Sequence, residues 1–432
     1  MSVPYTFASA TQALPLSELD DNFTYLDNQS GANTPYTPAG TGTPVTTVQN
    51  KLREYISVKD YVTGGSGTSG DPWTGWDTSI TWSSASYKQY NFCDGYFAYS
   101  TTITIPQGIN WFGFVTSAGT VIQYNGSGLA MDIGGTGLPG VAGGNQGFNI
   151  RIATLRGNAS ATGGVRCRQL TRSEVEIGFL NFPSTAVCMY EGSSVLVTYR
   201  LKCSGGATLL QTVGIQVPTL WQNSSGCIYW LQAESCADWG IILNGVLNSI
   251  FYVLTSENCK GGLLLAPSND GNQNVNMNAF YLQDFESNNL SSAAGYYDLY
   301  VKDSTPSSRT ALQNSFFGGF LTSAVGSKIQ GNYNTFYGTA FGTVYENGQQ
   351  NSYINGYASA AFNDSGIGTT QFQFLNLGAG AIQYKLPYMN KNGAGAPTAV
   401  VPLYIGQVYI NYSLNDIYIA WGTSAGNWTK VN

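Results

Sequence analysis

Histidine is absent from the 432 residues, so any chemistry here must run on carboxylates, Lys, Arg or Tyr. That absence removes Ser–His–Asp and Cys–His catalysis together with the usual zinc sites. A serine esterase, which wants a histidine base, is therefore a poor fit. The seven cysteines (Cys93, Cys167, Cys188, Cys203, Cys227, Cys236 and Cys259) form no CxxC pair. They are expected to be free, buried thiols acting as small apolar residues. No metal site and no cofactor is expected.

Paired acids remain. Ile228-Tyr-Trp-Leu-Gln-Ala-Glu-Ser-Cys236 aligns with Phe251-Tyr-Val-Leu-Thr-Ser-Glu-Asn-Cys259 at one constant step, Tyr229 on Tyr252, Leu231 on Leu254, Glu234 on Glu257 and Cys236 on Cys259. If both segments are strands with Leu231 and Leu254 inward, then Gln232, Thr255, Glu234 and Glu257 point outward. Stacked on adjacent strands, the two carboxylates would lie roughly 5 Å apart, the separation of a retaining glycosidase. Like charges that close push one pKa upward, as a general acid requires. Asp238, past the Cys236 turn, is a third candidate, and Asp284 with Glu286 a second outward pair. Arg172, Glu174 and Glu176 form a further group that a surface salt bridge explains better. Trp230, Trp239 and Tyr252 are the expected sugar-binding rings. The structural alternatives are a solvated corner Glu, a pairing with Lys202 or Lys260, and a place for Trp230 in a subunit interface. Abundant Asn, Tyr and Trp suit neutral glycans.

The elements that must position these residues follow from composition. Hydrophobic residues make up 43% and charged residues only 10%, with 53 Gly and 13% aromatics. Few charges with many Gly, Asn, Ser, Thr and aromatics indicate strands and tight turns, an all-β chain. Val195-Leu-Val-Thr-Tyr-Arg-Leu-Lys-Cys203 is an earlier gapped copy of the pair, and Asn314-Ser-Phe-Phe-Gly, Asn334-Thr-Phe-Tyr-Gly and Asn351-Ser-Tyr-Ile-Asn-Gly recur later. A period of about 20 to 30 residues without a helical pattern predicts a β-solenoid. Leucine-rich repeats would need Leu at fixed positions.

Three regions are expected. Residues 1–54 hold a short helix capped at Ser17, with Leu16, Leu19, Phe23 and Leu26 as its apolar stripe, and a Gly/Thr/Pro linker. Residues 55–362 form the solenoid. Residues 363–432 form a small β module with a hairpin signature around Ser413-Leu-Asn-Asp416. A net charge of −6 argues against nucleic acid, whose phosphates demand clustered Lys and Arg. No apolar stretch reaches the roughly 20 residues of a membrane helix, and the N-terminus does not read as a signal peptide.

Several segments resemble bacteriophage tailspikes. Leu14-Pro-Leu-Ser-Glu-Leu-Asp-Asp-Asn-Phe23 is similar to the virion-anchoring segment of tail spikes and fibres. Val48-Gln-Asn-Lys-Leu-Arg-Glu-Tyr-Ile-Ser-Val-Lys-Asp-Tyr61 resembles the start of their pectate-lyase-like β-helices, and Thr102-Ile-Thr-Ile-Pro-Gln-Gly-Ile109 their first rung. The chain departs where the family continues Gly-Asp-Gly-x-x-Asp-Asp-Thr, carrying Gly64-Gly-Ser-Gly-Thr-Ser-Gly-Asp71 instead. Pro402-Leu-Tyr-Ile-Gly-Gln-Val-Tyr-Ile410 resembles a terminal module of phage receptor-binding proteins.

The resemblance implies a homotrimer of right-handed parallel β-helices, made in the host cytoplasm and carried on the virion. Its N-terminus would dock on a phage tail or baseplate protein. Its partner at the cell surface would be bacterial capsular polysaccharide or lipopolysaccharide, recognised and cleaved by a glycoside hydrolase or a polysaccharide lyase. The alternative is a receptor-binding adhesin without turnover. Neither nucleic-acid binding nor membrane insertion is implied, and no catalytic motif carries over. A secreted bacterial pectate lyase, the third option, should bring a signal peptide and clustered Asp calcium ligands.

Overall fold

A computed structural model describes residues 55–431 with breaks, the larger ones at 135–144, 268–272, 304–310, 377–382, 385–390 and 403–406, together with short strands at Pro35–Tyr36 and Thr46–Thr47. The expected capped helix around Ser17 lies outside the described residues.

The chain coils. Strands Asn149–Arg156, Glu174–Leu180, Thr198–Ser204, Ile228–Glu234, Ile250–Glu257, Ala279–Phe285 and Ser315–Leu321 each pair in parallel with the next and make one face. Gly163–Arg168, Val187–Gly192, Thr208–Val213, Trp239–Leu243, Gly261–Leu265 and Leu299–Val301 make a second face in the same way. A third, narrow face links Ser224–Ser225, Val246–Leu247 and Val275–Asn276. This is the expected all-β solenoid, a parallel β-helix whose hand follows from the right-handed rule for parallel crossovers. Parallel pairing continues past residue 362, to Leu375–Asn376 on Tyr357–Ala358. Beyond it, Val408–Asn411, Asp416–Ala420 and Trp428–Lys430 form the expected antiparallel hairpin and a third strand.

Alternation on the first face sends every second side chain inside. Tyr199, Tyr229, Phe251, Phe280, Phe316, Phe336 and Tyr353 stack there, with ring centroids 4.4 to 5.1 Å apart. At the corner before this face, buried Asn278, Asn314, Asn334 and Asn351 form a second ladder. Asn278, Asn314 and Asn334 each donate the backbone N–H to the side-chain Oδ1 of the next Asn at 2.7–3.1 Å, so corners that face no water stay satisfied. The steps between them are 36, 20 and 17 residues, so rung length varies while the corner stays in register. Cys203 and Cys236 touch inside the coil, their sulfurs 3.5 Å apart, and no disulfide forms among the described residues.

One expectation about register is corrected. The step between Ile228–Glu234 and Ile250–Glu257 is not constant: Leu231 pairs with Val253, and after a bulge Gln232 pairs with Thr255. Val253, not Leu254, is the inward residue, and the partly buried Leu254 is the extra one. Tyr252 consequently pairs with Trp230 rather than Tyr229.

Asp298 is fully buried at the mouth of Leu299–Val301, accepting from Asn288 Nδ2 at 3.1 Å and the Ser323 N–H at 3.0 Å. Burial nonetheless raises its pKa from 3.8 to about 6. The folded state therefore holds this proton more tightly than the unfolded chain, so stability should fall as pH rises from about 4 to about 6. Denaturant midpoints across that range, compared with Asp298→Asn, check this: the variant should lose the slope, and an unchanged slope would place its origin elsewhere.

Candidate functional site

The outward side chains of the first face fall into three columns running along the coil. The first holds Arg200, Trp230, Tyr252, Tyr281, Phe317 and Tyr337, register partners strand by strand. Its five rings stack: Trp230 on Tyr252 at 4.0 Å, then Tyr281, Phe317 and Tyr337 at 5.0, 5.0 and 5.1 Å, with interplanar angles of 6–17°. Trp230 is 37% exposed and Tyr281 43% exposed, so the ladder shows ring surface to solvent.

The second column is Lys202, Gln232, Thr255 and Asp284. The third is Ser204, Glu234 and Glu257, with Glu286 following just after its strand ends at Phe285. Like charges directly opposite destabilise a sheet pair, so this carboxylate column works against the fold that carries it.

Asp284 joins these columns. Burial raises its pKa above the usual aspartate value, helped by the negative charges of Glu286 and Glu257 and by a hydrogen bond with Glu257. The Oδ1 of Asp284 is enclosed and has no hydrogen-bond partner among the described residues. Asp284 therefore keeps its proton to higher pH than an ordinary aspartate, beside a second carboxyl group one strand away.

Toward the earlier rungs the same face opens into a trough of about 810 Å³ with Arg200, Lys202, Trp230, Gln232 and Leu254 on its walls. The trough, the aromatic ladder and the acids share one surface.

The candidate residues named from sequence are thus partly brought together. Glu234, Glu257, Asp284 and Glu286, expected as two separate pairs, form one cluster, with Trp230 and Tyr252 beside it. Asp238 stands apart, at the corner leading into the second face. It accepts a hydrogen bond from Tyr296 Oη at 2.8 Å, and Lys260 Nζ lies 4.3 Å from that ring. The bond to Asp238, then burial, raises the pKa of Tyr296. Trp239 does not present a ring to solvent: it is 6% exposed and packed against Tyr296 and Tyr300, a correction to its reading as a sugar platform. The returning segment that covers it has no counterpart in strand alternation. Glu174 does form a surface salt bridge, but with Arg151 at 3.1 Å rather than with Arg172 of its own group.

Sequence reasoning missed Arg200, Lys202, Tyr281, Phe317 and Tyr337. The signal was present: counting three positions on from corner residues Cys227, Ser249, Asn278, Asn314 and Asn334, rather than back from Glu-x-Cys, aligns Trp230, Tyr252, Tyr281, Phe317 and Tyr337 at once.

No protein-family model and no curated protein matches the chain. Among solved structures, it is similar to tailspike protein 3 of bacteriophage CBA120 (13% identity, TM-score 0.35, 97% of this chain and 76% of that one). ORF18 of Geobacillus virus E2 matches at 10% identity with TM-score 0.43, over 93% of each chain. PfbA, a surface adhesin of Streptococcus pneumoniae, matches at 10% identity and TM-score 0.36, over 88% of this chain and 100% of that one.

Proposed function

We propose that the chain is a phage tailspike subunit that holds a bacterial surface polysaccharide, capsule or lipopolysaccharide, along the first face of its coil and hydrolyses it there. The observation that carries the hydrolytic reading is the Asp284–Glu257 pair: a carboxyl with raised pKa, an orphaned enclosed oxygen and a second carboxylate one strand away, all beside a ladder of exposed rings. The phage assignment rests on the tailspike-like segments at both ends and at the start of the coil. A homotrimer docked by its N-terminus on a tail or baseplate protein belongs to the same reading.

In this scheme sugar rings lie on Trp230, Tyr252 and Tyr281. Protonated Asp284 gives its proton to the glycosidic oxygen as the bond to the anomeric carbon breaks. Glu257 attacks that carbon, and water, deprotonated by Asp284, then releases the sugar and restores both acids. Asp284 stands one strand over from Glu257 and two residues back in register, and a contact between their carboxyl groups suits the short separation of a retaining pair better than the wider one of an inverting pair. Glu234 and Glu286 keep the local field negative, which holds the proton on Asp284.

One observation favours a second reading, an adhesin without turnover: the ring ladder runs on through Phe317 and Tyr337, past the acids. Size-exclusion chromatography of capsule or lipopolysaccharide after incubation separates the two. Shortened chains with new reducing ends and no unsaturated-uronate absorbance support hydrolysis. A rise in that absorbance points to a lyase, and intact chains that co-elute with the protein leave the adhesin.

A further inference from the structure

The trough on the rungs before the acids is floored by small residues. A methyl group on Gly178 would sit 2.9 Å from Lys202 Cε and 2.5 Å from the Ala153 carbonyl oxygen. The lysine stem therefore lies across the glycine, and its exposed ammonium belongs to the trough. Arg200, also exposed, enters from the neighbouring outward position on the same strand. Arg151 on the far wall is paired with Glu174 at 3.1 Å, and Glu176 stands opposite Arg200 in register. Glu176 offsets part of the Arg200 charge. Lys202 has only Gly178 and Gln232 as its register neighbours, and no ion pair with a described residue. This is a cationic pocket in a chain of net charge −6, open to solvent and continuous with Trp230.

Building on the glycan reading of the same face, we infer that the polysaccharide is anionic, and that Lys202 and Arg200 hold a sugar carboxylate about three strand steps, roughly 14 Å, from Asp284. The amide- and aromatic-rich composition pointed to neutral glycans; the trough departs from that expectation. A carboxylate suits the pair better than a diffuse field does: Arg offers a planar two-pronged donor and Lys a point charge that can reach the same group. The neighbouring Trp230 ring and the Gln232 amide suit the body of that sugar. The site is then a recognition subsite distinct from the bond-breaking acids. It would select chains with a carboxylate at a fixed distance from the cleaved bond.

Affinity electrophoresis of the full-length protein tests this, in gels cast with polygalacturonate, alginate or hyaluronate as carboxylated probes, a glycerol-phosphate teichoic acid, and neutral dextran or galactomannan. Retardation should occur in at least one carboxylated gel and weaken with added salt. It should be reduced roughly tenfold or more in apparent affinity by Lys202→Ala and by Arg200→Ala. Carbodiimide reduction of the probe's carboxyl groups should abolish it, while Asp284→Asn should leave it in place. Retardation by neutral gels, or by a carboxylated gel with both cation variants at wild-type strength, overturns the inference and leaves the glycan reading standing. Retardation by the teichoic acid alone replaces carboxylate with phosphate and also overturns it. No retardation by any gel counts against both.

Discussion

Asp284→Asn and Glu257→Gln should each slow glycan cleavage by at least about a hundredfold, because the first removes the general acid and base, worth roughly 10²–10⁴ in rate, and the second removes the nucleophile. Retention on the glycan should stay near wild type, since the rings and the trough are untouched. Losing binding together with turnover would mean that the acids hold substrate rather than act on it. Glu234→Gln should be milder, removing a field contribution and no reacting group. The pH profile carries the same information. Asp284 has a raised pKa, so it stays protonated to higher pH than an ordinary aspartate, and only its protonated form can donate. Cleavage should therefore fall as pH climbs through that raised value. In Glu257→Gln the residual rate should fall at lower pH, because the neutral amide no longer opposes ionisation of Asp284. An alkaline limb in the same place for both proteins would contradict the coupling.

Phe280→Ala should lower unfolding free energy by about 3–5 kcal/mol, the usual loss for a buried phenylalanine. The ring is fully buried and sits between Phe251 and Phe316, 4.8 Å from each. Its removal breaks two stacks at once, each worth about 0.5–1.5 kcal/mol beyond burial, and leaves a void that a coil fixed by its ladder hydrogen bonds cannot close. Each rung of a solenoid contacts only its neighbours, so the defect uncouples the two halves. Phe317→Ala, one rung on and facing outward, has the same number of ring neighbours at 5.0 and 5.1 Å. It remains partly exposed, so it should shift the denaturant midpoint far less. Equal shifts for the two variants would show that the inner ladder is not what holds the rungs.

Much of the coil was legible in the sequence, because an inward aromatic and a corner Asn recur at the start of its later rungs. Asn314-Ser-Phe-Phe, Asn334-Thr-Phe-Tyr and Asn351-Ser-Tyr-Ile read directly as corner, spacer, inner ring and outer residue, and the structure places them so. Alternation also put Glu234 and Glu257 in register. What it could not supply was the bulge. The extra Leu254 leaves the glutamates aligned but moves each ring beside them by one position, so Trp230 meets Tyr252. Nor could strand parity foresee that Asp284 would close on Glu257, a diagonal contact between neighbouring strands, or that Tyr296 would fold back over Trp239. The trough was hidden for another reason: Ala153 and Gly178 matter by being small, and small residues carry no signal in a search for reactive ones.

The most direct test is a crystal structure of the Asp284→Asn protein with a fragment of the polysaccharide it retains. The account predicts sugar rings against Trp230 and Tyr252, with the glycosidic oxygen within hydrogen-bond reach of residue 284 and Glu257 beneath the anomeric carbon. A fragment seated instead at the Asp238–Tyr296–Lys260 corner, or on the second face, would contradict it.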